Sequence, residues 1–220
     1  MIIYYIVMIS MLLLAVTDKW IGSTNINQSS DNKIQKGTAF LMTLILALVA
    51  GLRYNVGTDY SNYYASYLSF KTLPLKLNDE PGIKVIARVA AIIYDDPGTM
   101  MFLAAVITVT LMVVTILRNS EMPWLSVMLY ILLCCWHGCF NGVRQYLAAA
   151  VLFAGHYFIK EKRLGCWCLL VFLASMFHIT AVIGIVFYFF PKIQISFKQI
   201  IISTICIFIG MKAYDAIFSF

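Results

Sequence analysis

Charge is what this chain of 220 residues has least of. Only 12% of its residues are Asp, Glu, Lys or Arg, and 62% are hydrophobic, where a soluble domain carries about 25% charged and about 45–50% apolar residues. One core of this size cannot bury that excess, so lipid has to cover part of it. The net charge of +6 is no nucleic-acid signature, because the basic residues are scattered at the ends of apolar runs, where they anchor and orient helices. No nucleic-acid partner is expected. Further absences narrow the chemistry. There is no Asp-x-Asp pair: Asp95 and Asp96 are adjacent and lead into Pro97-Gly98. A Walker motif, a His-Glu-x-x-His pair and a nucleophile elbow are all missing, which argues against nucleotide hydrolysis and metal-protease chemistry. Neither a metal site nor a cofactor is expected. Internal repeats and low-complexity tracts are absent as well. The six cysteines (Cys134, Cys135, Cys139, Cys166, Cys168 and Cys206) all lie in apolar segments. Without zinc or redox spacing they read as buried free thiols that pack as small hydrophobes.

What is present is a series of long apolar runs. A crossing takes about 20 residues, within a range of about 17–25. Runs at 2–16, 38–52, 99–117, 123–140, 143–159, 165–190 and 200–220 predict an all-α, polytopic helical membrane protein with about seven spans. The first run lacks a basic leading region and a small-residue cleavage site, so it reads as a retained span rather than a signal peptide. The 165–190 run is long enough to cross with tilt or to hold a break near His178. Residues 83–94 are too few to span, and Lys84 and Arg88 stand at i and i+4. An amphipathic helix at the interface fits them best, with a re-entrant segment as the alternative. Lysines and arginines in the short loops, the Lys160-Glu161-Lys162-Arg163 turn above all, place the N-terminus outside. The whole chain, 1–220, then reads as one transmembrane domain with an extracytoplasmic loop at 53–98. Counting spans puts Arg53, that loop and the 141–145 turn on one side.

The polar residues on that side are the candidates for chemistry. Phe140-Asn141-Gly142-Val143-Arg144-Gln145 is wedged between two hydrocarbon stretches. Asn141 suits the N-cap of the following helix. Arg144 in its first turn then opposes the macrodipole, at a cost of roughly 0.3–1 kcal/mol, and sits close to hydrocarbon. Both penalties vanish if an anion such as a phosphate binds there. The bland reading is an arginine that snorkels or pairs with a loop carboxylate. Arg53, at the end of a span, is either an interface anchor or a second anion-binding cation. Tyr60, Tyr63, Tyr64 and Tyr67 recur at i, i+3, i+4 and i+7. They form either an aromatic belt or a platform for sugar rings, with Asn62 supplying hydrogen bonds. Asp59 either caps the short helix or accepts a proton. Glu80-Pro81-Gly82 either caps the amphipathic piece or brings a carboxylate that takes a proton from a sugar hydroxyl. His178, deep in an apolar run, is a functional candidate by its depth, or else a histidine bonded to a neighbouring helix. His137 can face the same vestibule as Arg144, and His156 reads as structural.

With these residues in view, the chain resembles the EpsG family of polysaccharide polymerases, relatives of the Wzy-type O-antigen polymerases. The resemblance rests on Gly51-Leu52-Arg53 with Val56-Gly57-Thr58-Asp59-Tyr60 and Asn62-Tyr63. It continues at Glu80-Pro81-Gly82, at Phe140 to Gln145 with Leu147-Ala148, and at Ala174 with Phe177-His178. Any one of these is a weak signal; four in order on a multi-span background are more specific. The resemblance implies a multi-pass protein of the cell inner membrane that joins lipid-linked oligosaccharide repeat units into exopolysaccharide, capsule or O-antigen. Its partners would be the lipid-linked oligosaccharide, membrane lipids and other polysaccharide-assembly proteins. Asp59, Glu80 and His178 are then the expected catalytic residues. Arg53, Tyr60, Asn62, Tyr63, Asn141, Arg144 and Gln145 are expected to bind substrate. A transporter or flippase of lipid-linked sugars is the alternative. Family members run longer, so a C-terminally truncated, inactive membrane subunit is the other.

Overall fold

The computed structural model describes residues 2–24 and 34–190, all helix, turn and loop with no strand among them. The expected span at 200–220 and Cys206 lie outside the described residues. The chain divides into two compact units, Met1–Ile185 and Val186–Phe220. Of the second unit residues 186–190 are described, with the Phe187 and Phe190 rings 5.8 Å apart.

In the first unit two helices are long and apolar enough to cross a membrane: α1 (Ile2–Thr24) and α5 (Pro97–Asn119). Pro97 suits the first turn of α5 because its missing N–H has no intrahelical partner there, and Asp96 caps that turn by accepting from the Gly98 N–H at 2.7 Å. The other expected spans are shorter or broken. α2 (Lys36–Gly51) covers the second run. The 123–140 run forms α6 (Pro123–Leu132), then turns at Cys134, which has φ 59°, into the single turn α7 (Cys135–Gly138). The 143–159 run forms α8 (Val143–Ala154), breaks at Gly155 and resumes as α9 (Tyr157–Lys160). A Cβ on Gly155 would overlap a methyl of Leu170, so α10 (Leu164–Ser175) packs tightly against the break. α10 stops before His178, where the sequence allowed a break, and a 3₁₀ turn follows at Ile179–Ile183. At 1.5 Å per residue, helices of ten or twelve residues reach only about 15–18 Å, roughly half of a hydrocarbon core about 30 Å thick. The described residues thus hold two helices clearly long enough to cross and do not confirm seven crossings.

α5 is the central element, packed against α2, α4 (Pro81–Ile93), α6 and α8. Leu46, Val109, Val113 and Trp136 are fully buried there. The Trp136 indole N–H donates to the Leu46 carbonyl at 3.3 Å, so the largest core side chain leaves no polar atom stranded. α1 and α2 run antiparallel. Asp18, late in α1, accepts from the Thr38 hydroxyl at 2.6 Å at the start of α2. At the other end Tyr4 packs on His137, ring centres 4.5 Å apart.

α3 (Tyr60–Thr72) and α4 form a hairpin over α5. The tyrosine stripe is its core: Tyr60, Tyr63 and Tyr67 are buried against Ile83, Ala87, Ala90 and Met100, and only Tyr64 is exposed. Tyr67 and Lys71 both donate to Asp95, at 2.8 Å and 2.9 Å, and tie the end of α3 to the loop before α5. The Lys71 and Tyr67 hydrogen bonds hold the Asp95 carboxyl below its ordinary pKa. Burial, aided by Asp95, pushes the Tyr67 phenol up to about 12.

The amphipathic helix expected at 83–94 is present as α4, but its cations turn inward. Lys84 is 2% exposed; it pairs with Asp79 and donates to the Pro74 carbonyl at 3.2 Å. Arg88 donates to the Leu73 carbonyl at 2.7 Å. The 73–79 loop carries carbonyls that no helix satisfies, and these two side chains supply donors. Val85, Val89 and Ile92 are left on the outer face.

Candidate functional site

Four segments far apart in sequence meet at the end of the molecule that holds Tyr4 and the C-terminus of α2. The 52–59 loop docks first. Gly57 has φ +108°, and a Cβ there would come within 2.5 Å of the Phe140 carbonyl oxygen, so only glycine allows the approach. That approach brings the Thr58 N–H to the Asn141 Oδ1 at 2.7 Å, and the Thr58 hydroxyl to the same atom at 3.3 Å. Asn141 is thus occupied with the loop and does not cap α8. Gly142 stands at the N-cap with no side-chain bond, and Arg144 is the second helical residue rather than the third.

Glu80 is the hub of the site. It has φ 44° and ψ 63°, left-handed and costly for a residue with a Cβ. Its Oε2 receives Nη1 of Arg144. Its Oε1 accepts from His178 Nδ1 at 2.7 Å and from the Ile179 N–H at 3.1 Å. One histidine tautomer satisfies the whole chain of contacts: Nδ1–H donates to Glu80, and Nε2 accepts from Gln145 Nε2 at 3.2 Å. Arg144 reaches Tyr63 as well, its backbone N–H and its Nε each 3.4 Å from the phenolic oxygen. Gly82 seals the knot from behind. Its N–H donates to the Met176 carbonyl at 2.8 Å. A Cβ on it would overlap the Phe177 ring.

Beside this knot opens a hollow of about 260 Å³, lined by Asp59, Asn62, Tyr63, Ser66, Phe70 and Arg144. The side chains of Asp59, Asn62 and Ser66 make no hydrogen bond to any described residue. The hollow therefore offers a carboxylate, an amide, a hydroxyl and a guanidinium around two aromatic rings. A neighbouring hollow of about 460 Å³ is lined by Tyr4, Gly57, Thr58, His137, Phe140 and Asn141 among others.

The structure brings Asp59, Asn62, Tyr63 and Arg144 to one cavity wall, with Glu80, His178 and Gln145 bonded behind Arg144. Tyr60 is buried and lines a different hollow with Tyr64. Arg53 lines none of the three. Its guanidinium lies 5.0 Å from the centre of the Phe140 ring. One nitrogen donates to the Ala50 carbonyl, while Nε and Nη2 are buried without a partner. Ser66 and Phe70 escaped the sequence reading. Their signal was the spacing 59, 62, 66, 70, one face of a helix, next to the more conspicuous tyrosines.

No curated protein and no solved structure matches this chain. The model of the EpsG family matches residues 38–220, a stretch that runs from α2 onward and holds every segment of the Arg144–Glu80 knot and of the hollow beside it. The chain belongs to the EpsG family.

Proposed function

We propose that this chain is a membrane polysaccharide polymerase that joins lipid-diphosphate-linked oligosaccharide repeat units into exopolysaccharide, capsule or O-antigen. The reaction is glycosyl transfer at the outer face of a multi-pass protein of the inner membrane. A hydroxyl oxygen of one glycan forms a bond to the anomeric carbon of the other. The bond from that carbon to the diphosphate oxygen breaks, and the lipid diphosphate leaves with the electron pair. The hydroxyl proton passes to a carboxylate.

Family membership supports the polysaccharide-related polymerase role. The observation that carries the chemistry is Arg144, fixed by Glu80 at the rim of the 260 Å³ hollow. Negative charge develops on the leaving diphosphate, and a cation held in place before the reaction is the most effective stabiliser. Arg144 is assigned to that charge. Glu80 has both oxygens committed to donors on Arg144, His178 and Ile179, so it positions the arginine and the histidine. Asp59 faces the hollow with its oxygens uncommitted, and it is the better acceptor for the hydroxyl proton. Tyr63 and Phe70 give a sugar ring an aromatic face, and Asn62 and Ser66 offer hydrogen bonds to its hydroxyls. Arg53 stands behind Phe140 and braces the turn that carries Asn141 and Arg144.

The test is polymer length in cells that carry Arg144→Ala or Asp59→Asn in an otherwise deleted background. Each should cut polymer formation by about 100-fold or more, with uncapped repeat units accumulating in the outer leaflet. Accumulation in the inner leaflet would assign the chain to transport. Unchanged polymer length in both variants would end the catalytic assignment.

A further inference from the structure

We propose that the groove between α2 and α5, at the end of the molecule away from the Arg144 site, binds an anionic phospholipid. One acyl chain lies in the groove, and Lys36 and Arg118 hold the phosphate. This goes beyond the polymerase reading and does not depend on it.

The two helices pack antiparallel, so the first residue of α2, Lys36, and the last turn of α5, with Arg118, arrive at the same end. Both line the mouth of a groove of about 650 Å³, within the range of about 300–1,000 Å³ typical of small-molecule sites. Below them the walls are mostly hydrocarbon, with Phe40 and Leu44 on α2 and Val106 and Val114 on α5, and Thr43 and Thr110 as the hydroxyl-bearing exceptions. Phe102 joins the lining on α5. Phe102 lies against Gly51, where a Cβ would meet its ring at 2.6 Å, and the ring fills the space that glycine leaves.

The occupant follows from length, polarity and charge. From Lys36 to Leu48 the groove runs about 18 Å along α2 at 1.5 Å per residue. That is close to the depth of one leaflet, half of a core about 30 Å thick. The wall asks for no polar partner at Thr43, whose hydroxyl already donates to the Ala39 carbonyl at 2.8 Å. An apolar chain one leaflet long suits such a slot, and a soluble ligand does not. At the mouth neither Lys36 nor Arg118 has a hydrogen bond or ion pair with any described residue. Asp18, the carboxylate at this end of α2, is taken up by the Gln35 N–H at 3.2 Å and the Thr38 hydroxyl, and does not line the groove. Two cations that no described residue compensates, above an apolar slot between helices, are the arrangement that selects an anionic head group. Each basic residue near the surface favours an anionic lipid by about fivefold, so the pair is worth about 30-fold.

The experiment places the full-length protein in nanodiscs of mixed phosphatidylglycerol and phosphatidylcholine and weighs the intact complexes released from them. The wild type should retain phosphatidylglycerol over phosphatidylcholine by about 30-fold. Lys36→Gln with Arg118→Gln should bring the ratio near parity, and Lys36→Arg with Arg118→Lys should keep it. Leu44→Trp, on the exposed wall, should abolish retention of either lipid without touching the charges. Equal retention of the two lipids by the wild type would overturn the proposal. So would a preference that survives the double glutamine variant. Release of a second copy of the chain, or of the chain with no lipid at all, would give the groove to protein and equally overturn it.

Discussion

Replacing Glu80 probes the centre of the site, and the structure sets the size of the effect. Glu80→Gln keeps the shape and removes the charge. An amide has one acceptor oxygen and one donor nitrogen, whereas the carboxylate takes donors on both oxygens, from Arg144 on one side and from His178 and Ile179 on the other. Whichever way the amide turns, a donor faces a donor. Hydrogen bonds to charged groups contribute about 1.5–3 kcal/mol each. The Arg144 side chain is 38% exposed, so solvent screening reduces its share, and about 1–3 kcal/mol remains for the whole change. For a chain of this size that lowers Tm by about 3–9 °C. The backbone gives an independent handle. Glu80 is left-handed, a conformation that costs a side-chain-bearing residue about 1–2 kcal/mol. Glycine would relieve that strain and lose about 0.4–1 kcal/mol to the greater freedom of its unfolded chain. Glu80→Gly should therefore be about 1 kcal/mol more stable than Glu80→Ala, although both lose the carboxylate. The assay is thermal unfolding of the purified protein in detergent, followed by tryptophan fluorescence. A wild-type Tm for Glu80→Gln would refute the hub, and equal Tm values for the glycine and alanine variants would refute the stored strain.

Further outcomes follow from the glycines and from the Asp95 clamp. Gly82→Ala forces a methyl into the Phe177 ring and close to the Met176 carbonyl. Overpacking of this kind costs about 1–3 kcal/mol, and it should move His178 off Glu80 and shorten the polymer in a cell-based gel assay. Gly37→Ala, which meets nothing within 4 Å, should leave polymer length unchanged. The clamp of Lys71 and Tyr67 on Asp95 should be sensitive to acid. The Asp95 carboxyl titrates lower in the folded protein than in the unfolded chain. Its contribution is therefore present above the ordinary carboxylate value of about 3.9 and is lost as pH falls through the lower, folded value. Proteolytic nicking of the 73–79 loop should rise steeply over that interval when measured with an acid-active protease, and should be raised already at neutral pH in Asp95→Asn when measured with a neutral protease. A flat profile in the native protein would show that the clamp contributes nothing.

Much of the site was legible because it is built from short polar signals in a chain that has few of them. An arginine, a glutamate and a histidine among hydrocarbon each need a partner, and the expected span count already put Arg144 and Glu80 on one side. Which partner each would take was not legible. Arg144 satisfies itself on Glu80, the loop carboxylate that was its bland alternative, yet still lines a hollow. In a protein the two readings are not exclusive, since a guanidinium has five donors and one carboxylate engages few of them. The tyrosine stripe was only partly legible, for a physical reason. A repeat at i, i+3, i+4 and i+7 marks the buried face of a helix as readily as a binding surface, and here Tyr60, Tyr63 and Tyr67 are core while Tyr63 also lines the cavity beside the polar face. Helix lengths were the least legible feature. An apolar run reads as one span, whereas its breaks at Cys134, Gly155 and Met176 depend on tertiary packing such as that of Leu170 against Gly155.

Arg53 and Arg144 look alike in the sequence, each at the edge of an apolar run, and the structure separates them by helix polarity. Arg53 follows the C-terminus of α2, where the last carbonyls lack partners and a cation is favoured. It takes one of those carbonyls, Ala50, and sets its guanidinium carbon 5.0 Å from the centre of the Phe140 ring. Both contacts are ones a guanidinium makes without help from an anion. Arg144 is in the first turn of α8, where the dipole opposes it and the free N–H groups already favour negative charge. It is stable there only beside an anion, and Glu80 is brought to it from 64 residues away by a strained backbone. A cation that needs an anion, at the rim of a polar hollow, is suited to exchange part of its coordination with a diphosphate. A cation that bonds a carbonyl of its own helix end, even with Nε and Nη2 buried without a partner, is suited to hold a loop in place. The difference in role assigned to the two arginines thus rests on which end of a helix each one occupies.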